Sequence, residues 1–467
     1  MSTLAFVGIV VSLMQTLVVP LIPRLPSMLN ADPSDASWVV TATLLSGAAI
    51  TPIAGRLGDM YGKRRLLVLS LVVLVAGSGI SAMSESVWPM VIGRALQGMA
   101  MGAIPLGISI LRDELPREKV GPAIATMSAT MGVGGAIGLP MAAVIAQYAN
   151  WHTLFWVAAG LGALCLVLVL SVLPASSLRT PARFDLLGAL VLCIGLVALL
   201  LPVSKGSTWG WSSPLTLGLL GGSVLVLVLW GFYELRIKSP LVDLRVAGRA
   251  PVLFTNLASV SVGFAMYVMT LVFPQLLMAP ASTGYGLGFD MVQTGLVLFP
   301  GGLVMMALSP VSARLSARRG PKTTLMIGSL VIGLGYVLVL LLNSRVWHIL
   351  ASSMIIGAGI GLAYAAMPSL IMGAVKQTES AAANGLNALM RAVGTSSSAA
   401  VMGVVLAAMS VGSGPLAVPT MNGFRVAFGI AMGAALLSIV LTWLIPRHGT
   451  LERVHGAPVK EPAQTTS

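Results

Sequence analysis

Gly55-Arg56-Leu57-Gly58-Asp59-Met60-Tyr61-Gly62-Lys63-Arg64-Arg65 lies between two apolar runs, one ending near Ile53 and the next starting at Leu66. Each run is long enough to cross a bilayer, which takes about 20 apolar residues at a rise of about 1.5 Å each. The eleven residues between them read as a short loop at a membrane face. Gly58 and Gly62 permit a tight turn and a close helix approach. Asp59 can pair with the basic cluster or meet a helix N-terminus. The basic residues alone would fit a charged loop on the inner side of a membrane.

Composition widens that reading to the whole chain. Hydrophobic residues make up 57% of the 467, and charged residues only 9%, against about 25% in soluble domains. Mean hydropathy is +0.95. The chain is a polytopic membrane protein. Its net charge of +13 is scattered through short segments. No basic domain with interleaved aromatics is present, so nucleic acid is not a partner. Cys165 and Cys193 sit inside apolar runs, with no disulfide or metal spacing. The first run, Thr3 to Pro23, lacks a basic leader and is too long for a signal core, so it reads as a retained spanning helix.

Fourteen spans follow from the apolar runs: 3–23, 37–56, 66–84, 87–110, 122–146, 153–173, 185–204, 214–234, 251–274, 291–313, 323–342, 346–371, 383–409 and 423–445. With the N-terminus inside, inner loops and the tail hold 21 of the 27 Lys and Arg. The outer side holds Arg24, Lys205, Arg345 and Arg425, and Arg94 and Arg391 fall within spans. That asymmetry puts both termini in the cytoplasm, with the protein in the plasma membrane.

The pattern G-x-L-x-D-x-x-G-K/R-K/R after a second membrane helix resembles the signature loop of the major facilitator superfamily. An echo follows: Ala313-Arg314-Leu315-Ser316-Ala317-Arg318-Arg319-Gly320 keeps the Arg, Leu and Gly of the first stretch and loses the Asp. The resemblance implies an all-α fold of two parallel six-helix bundles, 1–173 and 251–446, with sites between them at mid-membrane. The segment 174–250 then holds a polar linker and an inserted helix pair, 185–204 and 214–234, apolar nearly all round and expected to face lipid. Trp209-Gly210-Trp211 reads as an interfacial anchor, and 447–467 as a disordered tail.

Arg94 stands in Ile92-Gly93-Arg94-Ala95-Leu96-Gln97-Gly98-Met99-Ala100-Met101-Gly102. An arginine at a span centre costs about 2.5–3.5 kcal/mol on insertion scales, so it faces a cavity or a partner, or bonds neighbouring carbonyls. Gln97, Gly98 and Met101 share its face. The run resembles the fourth-helix motif of drug exporters, where this arginine is tied to proton coupling. In the fifth span Gly134 and Gly138 form a small-x-x-x-small pair. With Pro140 they resemble the antiporter motif, a hinge or seal between the halves, although Leu139 intervenes before Pro140. Leu13-Met14-Gln15-Thr16-Leu17-Val18-Val19-Pro20-Leu21-Ile22-Pro23 resembles the first-helix motif of the fourteen-helix drug:proton antiporter branch, with Met14 where an aspartate usually stands.

In the ninth span Asn256, Ser259, Gly263, Tyr267, Thr270 and Pro274 make one polar, small-residue stripe. It serves either helix–helix hydrogen bonding or a cavity wall. Asn384, Asn387 and Arg391 share a face of the thirteenth span. Many of the 26 methionines lie in spans, where they fill the core and suit adaptable hydrophobic binding. No catalytic constellation, metal cluster or phosphate-binding Gly-x-x-x-x-Gly-Lys loop is present, so neither an enzyme nor an ATP-driven pump is expected, and no cofactor.

The resemblance implies a secondary active exporter of hydrophobic drugs or amphiphiles, working as a monomer by alternating access with protons as coupling ion. Alternatives are a lipid or metabolite exporter, or a non-transporting membrane sensor or scaffold. The coupling and gating set is Gly55, Asp59, Gly62, Lys63, Arg64, Arg94, Gly134, Gly138 and Pro140; the cavity set is Met14, Gln15, Gln97, Met101, Asn256, Tyr267, Thr270, Asn387 and Arg391. Asp59 is expected to act as a gate element through the basic loop or a neighbouring helix end. With no carboxylate inside a span, neutral or anionic substrates are favoured over cations, and proton coupling would fall to a marginal acid such as Asp59, Asp290 or Glu379.

Overall fold

The computed structural model describes residues 1–18, 21, 25–174, 183–343, 345–411 and 418–446. The tail from 447, most of the 174–184 linker and residues 19, 20, 22 and 23 of the first-helix motif lie outside the described residues. The first half of the chain gives α1 (Ser2–Thr16), α2 (Leu25–Met28), α3 (Pro33–Ala36), α4 (Trp38–Tyr61), α5 (Lys63–Ala82), α6 (Val87–Met99), α7 (Ala103–Glu114), α8 (Arg117–Tyr148) and α9 (His152–Val172). Then come α10 (Leu186–Trp209), α11 (Pro214–Arg236), α12 (Leu244–Ala247), α13 (Ala250–Met278), α14 (Met291–Ala307), α15 (Ser309–Arg319), α16 (Pro321–Leu341), α17 (Val346–Ala374), α18 (Ser380–Ala408) and α19 (Met421–Trp443). A two-residue antiparallel ladder, β1 (Ser410–Val411) with β2 (Val418–Pro419), joins the last two helices and was not foreseen.

Thirteen helical segments among the described residues are long and apolar enough to cross a membrane, with α6–α7 and α14–α15 each counted as one. They fall in the order of the last thirteen spans read from sequence. The first differs: α1 has 15 residues and stops at Thr16. Pro20 and Pro23 follow, and proline disfavours helix at the residue before it and lacks the amide donor. Leu17, Val18 and Leu21 continue the buried face of α1.

The largest correction falls on the opening stretch. Residues 55–61 are not a loop; they are the last two turns of α4, and Lys63 already begins α5. Only Gly62 leaves the helix, at φ 107° and ψ 127°. That backbone is open to glycine and strained for any other residue. The glycine at the end of the echo, Gly320, does the same between α15 and α16, at φ 84° and ψ 153°. Apolar continuity through Leu57 and Met60 carries α4 on, so a single residue is enough to turn the chain.

Three buried clusters organise the packing. One draws on α1 and α4 to α9, a second on α13, α14 and α16 to α19. The third joins α4, α10, α11 and α18. Between the first two, α18 packs on α4 and α7, and α8 packs on α14, α15 and α17. Leu, Val and Phe of α9, α11 and α16 remain exposed on the outer surface, as a bilayer solvent allows. The inserted pair α10–α11 is only in part the all-apolar element read from sequence. One side of α10 buries Leu192, Leu196 and Leu200, and Asp185, Lys205 and Glu234 are buried with it. Lys205 donates to Ser37 Oγ and lies 4.7 Å from the centre of the Trp38 ring, tying the pair to the start of α4.

Candidate functional site

At the end of the molecule where α4 meets α5, a carboxylate grips a helix start. Asp59 Oδ2 accepts from the backbone N–H of Ala382 at 2.9 Å, and Oδ1 from that of Ala381 at 3.3 Å. These are first-turn amides of α18, which have no partner within their own helix and carry the positive end of its dipole. A fully buried Lys63 lies 3.5 Å from Asp59 Oδ1, bonds Asp113 Oδ2 at 2.6 Å, and donates to Ser380 Oγ at 3.1 Å. The opposite end of the α17–α18 turn is held by the opposite charge. Arg112 Nη2 donates to the carbonyls of Met372 at 2.8 Å and Val375 at 3.3 Å, where α17 runs out of its own donors. Gln377 Nε2 adds a bond to Asp113 Oδ1 at 3.4 Å.

Close approach makes this clasp possible. A side chain at Gly55 would run into the backbone of Ala381, and one at Gly385 into that of Thr51. The clasp therefore joins α4, α5 and α7 to the turn between α17 and α18. Arg112, Asp113 and Ser380 were missed in the sequence, where a charged run at a span end looks like ordinary topology. Arg64 does not join it: its Nη2 donates to Leu170 O at 2.8 Å, at the end of α9.

Arg94 is 1% exposed and cross-links four helices. Nη1 donates to Met14 O at 3.1 Å and Gln97 Oε1 at 2.6 Å, and Nε to Val39 O at 3.4 Å. Gln97 Nε2 in turn donates to Ser78 Oγ at 2.8 Å. Of the two readings left open, the carbonyl-bonded arginine is the one built here. Met14 is a buried core residue whose carbonyl, not its side chain, meets Arg94. Gln15 Nε2 is buried without a partner. Met101 is half-buried and packs beside Gly47.

The α8 glycines divide differently from the expected seal between halves. Gly134 and Gly138 press on Ile9, Ser12, Leu13 and Thr16 of α1. The contacts with α14 fall to Gly132, against Met305, and to Pro140, against Gly295. The motif glycines thus lock α8 to its own bundle, and the neighbouring positions meet the other one.

In α13 and α18 the polar residues form a network. Asn387 Nδ2 donates to Asn256 Oδ1 at 3.0 Å and Ser259 Oγ at 2.7 Å, and Arg391 Nη1 donates to Asn387 Oδ1 at 2.6 Å. The Arg391 guanidinium stacks 5.2 Å from the Tyr364 ring centre. Gly263 abuts the Arg391 backbone, so this part of the stripe is a helix–helix seam. Tyr267 and Thr270 are half-buried and stand outside the network; the Thr270 hydroxyl donates to Met266 O at 3.2 Å. Among the described residues the ion pairs within 4 Å are those of Lys63, so Arg94 and Arg391 are buried cations among neutral partners.

A profile of the Major Facilitator Superfamily matches residues 4–399. A transporter of that type from Mycobacterium tuberculosis, itself uncharacterized, is 28% identical over 409 residues; the match covers 86% of this chain, which spans only 58% of that relative's length. The tetracenomycin C resistance and export protein of Streptomyces glaucescens is 27% identical over 456 residues, 97% of this chain and 83% of that one. In fold, the crystal structure of the human organic anion transporter MFSD10 matches with a TM-score of 0.67 at 16% identity, over 94% of this chain and 98% of that one.

Proposed function

The chain belongs to the Major Facilitator Superfamily, and from that premise we propose that it is a proton-coupled exporter of hydrophobic or amphiphilic small molecules. The bundles 1–173 and 251–446 rock against each other, and 174–250 carries the inserted pair. The protein works as a monomer in the plasma membrane with both termini cytoplasmic, so the Asp59 clasp lies on the inner face. That clasp is the observation that carries the reading. It is a set of separable polar bonds between two bundles at one end of the molecule, which is what an alternating-access gate requires. The name of the Streptomyces glaucescens relative supports export of an antibiotic-like compound as the task.

Substrate charge follows from the two buried arginines. Neither meets a carboxylate among the described residues, so the space between the bundles carries a positive potential that disfavours cations. Neutral and anionic amphiphiles are preferred. Arg94 acts through its field, because its Nε and Nη1 are committed to carbonyl oxygens. Reconstituted vesicles with an imposed pH gradient, offered matched neutral, anionic and cationic dyes, test the proposal. Gradient-driven movement of the first two is expected. Movement of none of the dyes refutes the exporter; efficient export of a monovalent lipophilic cation that survives Arg94→Ala refutes the electrostatics.

A further inference from the structure

At the inner end of the inserted pair, two carboxyl groups are buried face to face. Asp185 caps α10: its Oδ1 accepts from Gly188 N–H at 2.9 Å and from the Tyr233 hydroxyl at 3.0 Å. Its Oδ2 has no partner. Glu234, on the last turn of α11, is 2% exposed, and neither of its oxygens has a partner in hydrogen-bond geometry. A side chain on Gly188 would touch both Asp185 Oδ2 and Glu234 Oε1. The two unpartnered oxygens therefore flank one spot and lie within a few ångströms of each other. Trp230 Nε1 closes the same spot by donating to Gly188 O at 2.9 Å.

The surrounding charges are few. Arg56 of α4 and Asp185 are the ionic groups that act on Glu234. On the side of α12, Asp243 turns back to cap its own helix, and Arg245 Nη2 donates to Leu235 O. From α18 come Leu386, Leu389 and Met390. Two buried like charges this close cannot both persist unshared, and an unpartnered buried carboxylate oxygen is costly. One proton between them satisfies both orphan oxygens and leaves a single negative charge opposite the single positive charge of Arg56.

We propose that Asp185 and Glu234 form a proton-binding carboxyl pair, built where the inserted helices meet α4 three residues before the Asp59 clasp. Because α10 packs on both α4 and α18, loading or emptying the pair changes the hold of the inserted helices on the two helices that the clasp joins. The inserted pair is then a proton-linked brace. This deepens the proton-coupled reading, and rests on it only for the consequence in transport; the pair itself is a property of two side chains.

The test is an infrared pH titration of the full chain in lipid nanodiscs, with no substrate and no gradient. The expected result is a carboxylic-acid C=O band that fades as pH rises and is lost from both Glu234→Gln and Asp185→Asn. Asp185→Asn keeps an acceptor for the Gly188 amide, so it remains readable if Glu234→Gln does not fold. A wild-type band set indistinguishable from that of either folded variant overturns the proposal. Dye transport by the wild type that ignores a pH gradient, with the titrating band present, refutes proton-coupled export and leaves the pair standing.

Discussion

The stretches 55–62 and 313–320 share a backbone and divide in chemistry. Each ends a helix on a positive-φ glycine whose N–H bonds back four residues, Gly62 to Gly58 and Gly320 to Ser316. In the first, the acid position is Asp59, buried against the start of α18. In the second it is Ala317, exposed. Lys63 is buried between two carboxylates; Lys322, one turn into the echo's next helix, donates to the carbonyls of Trp443 and Ile445. The contact made by α15 is instead apolar, Ala313 with Ala125 of α8 and Ala365 of α17. One side of the gate is thus held by directed polar bonds and the other by small side chains that can slide. A polar latch breaks at a defined cost, whereas the apolar seam has no comparable step.

That contrast is most exposed to a test at the two lysines. Lys63→Met leaves Asp59 and Asp113 as buried carboxylates without their cation, a loss of about 3–5 kcal/mol. Lys322→Met, which strands only backbone carbonyls that are partly solvated, costs about 1 kcal/mol. Thermal unfolding of both variants measures the difference, and equal shifts would erase the distinction. Asp59→Asn comes next. It keeps an acceptor for the α18 amides but removes the charge that complements the helix dipole, about 1–2 kcal/mol, or about a tenfold slower turnover. Substrate affinity stays nearly unchanged, because Asp59 is not a ligand; a large loss of affinity at normal maximal rate would contradict this. The smallest effect is expected for Ala317→Asp. It restores the acid in the echo but at an exposed site, and changes stability by less than about 0.5 kcal/mol.

The helices were legible because each apolar run is long enough to span a bilayer, and all but the first keep that length in the structure. The first was overread because apolar character outlasts the helix at Thr16. The opening stretch was misread as a loop because Gly58 and Gly62 look alike in sequence, and only Gly62 takes a positive φ. The partner of Asp59 lay 323 residues away, at Ala382, beyond any periodicity. Arg112 and Asp113 stand at a span end, where charge is expected anyway, and so do Asp185 and Glu234. Burial alone separates them from ordinary boundary charges. The residues whose motif could be read without a partner, Arg94 and Gly134, were found; what they touch was settled by packing.

The central claim is that the Asp59 clasp opens and closes during transport. Spin labels at Tyr61 and Lys376, with Cys165 and Cys193 replaced, place a distance across it. Double electron–electron resonance in nanodiscs should give a short and a long population in the wild type. In Asp59→Asn the long population should grow at the expense of the short. A distance distribution that is single, or unchanged by Asp59→Asn, contradicts the account.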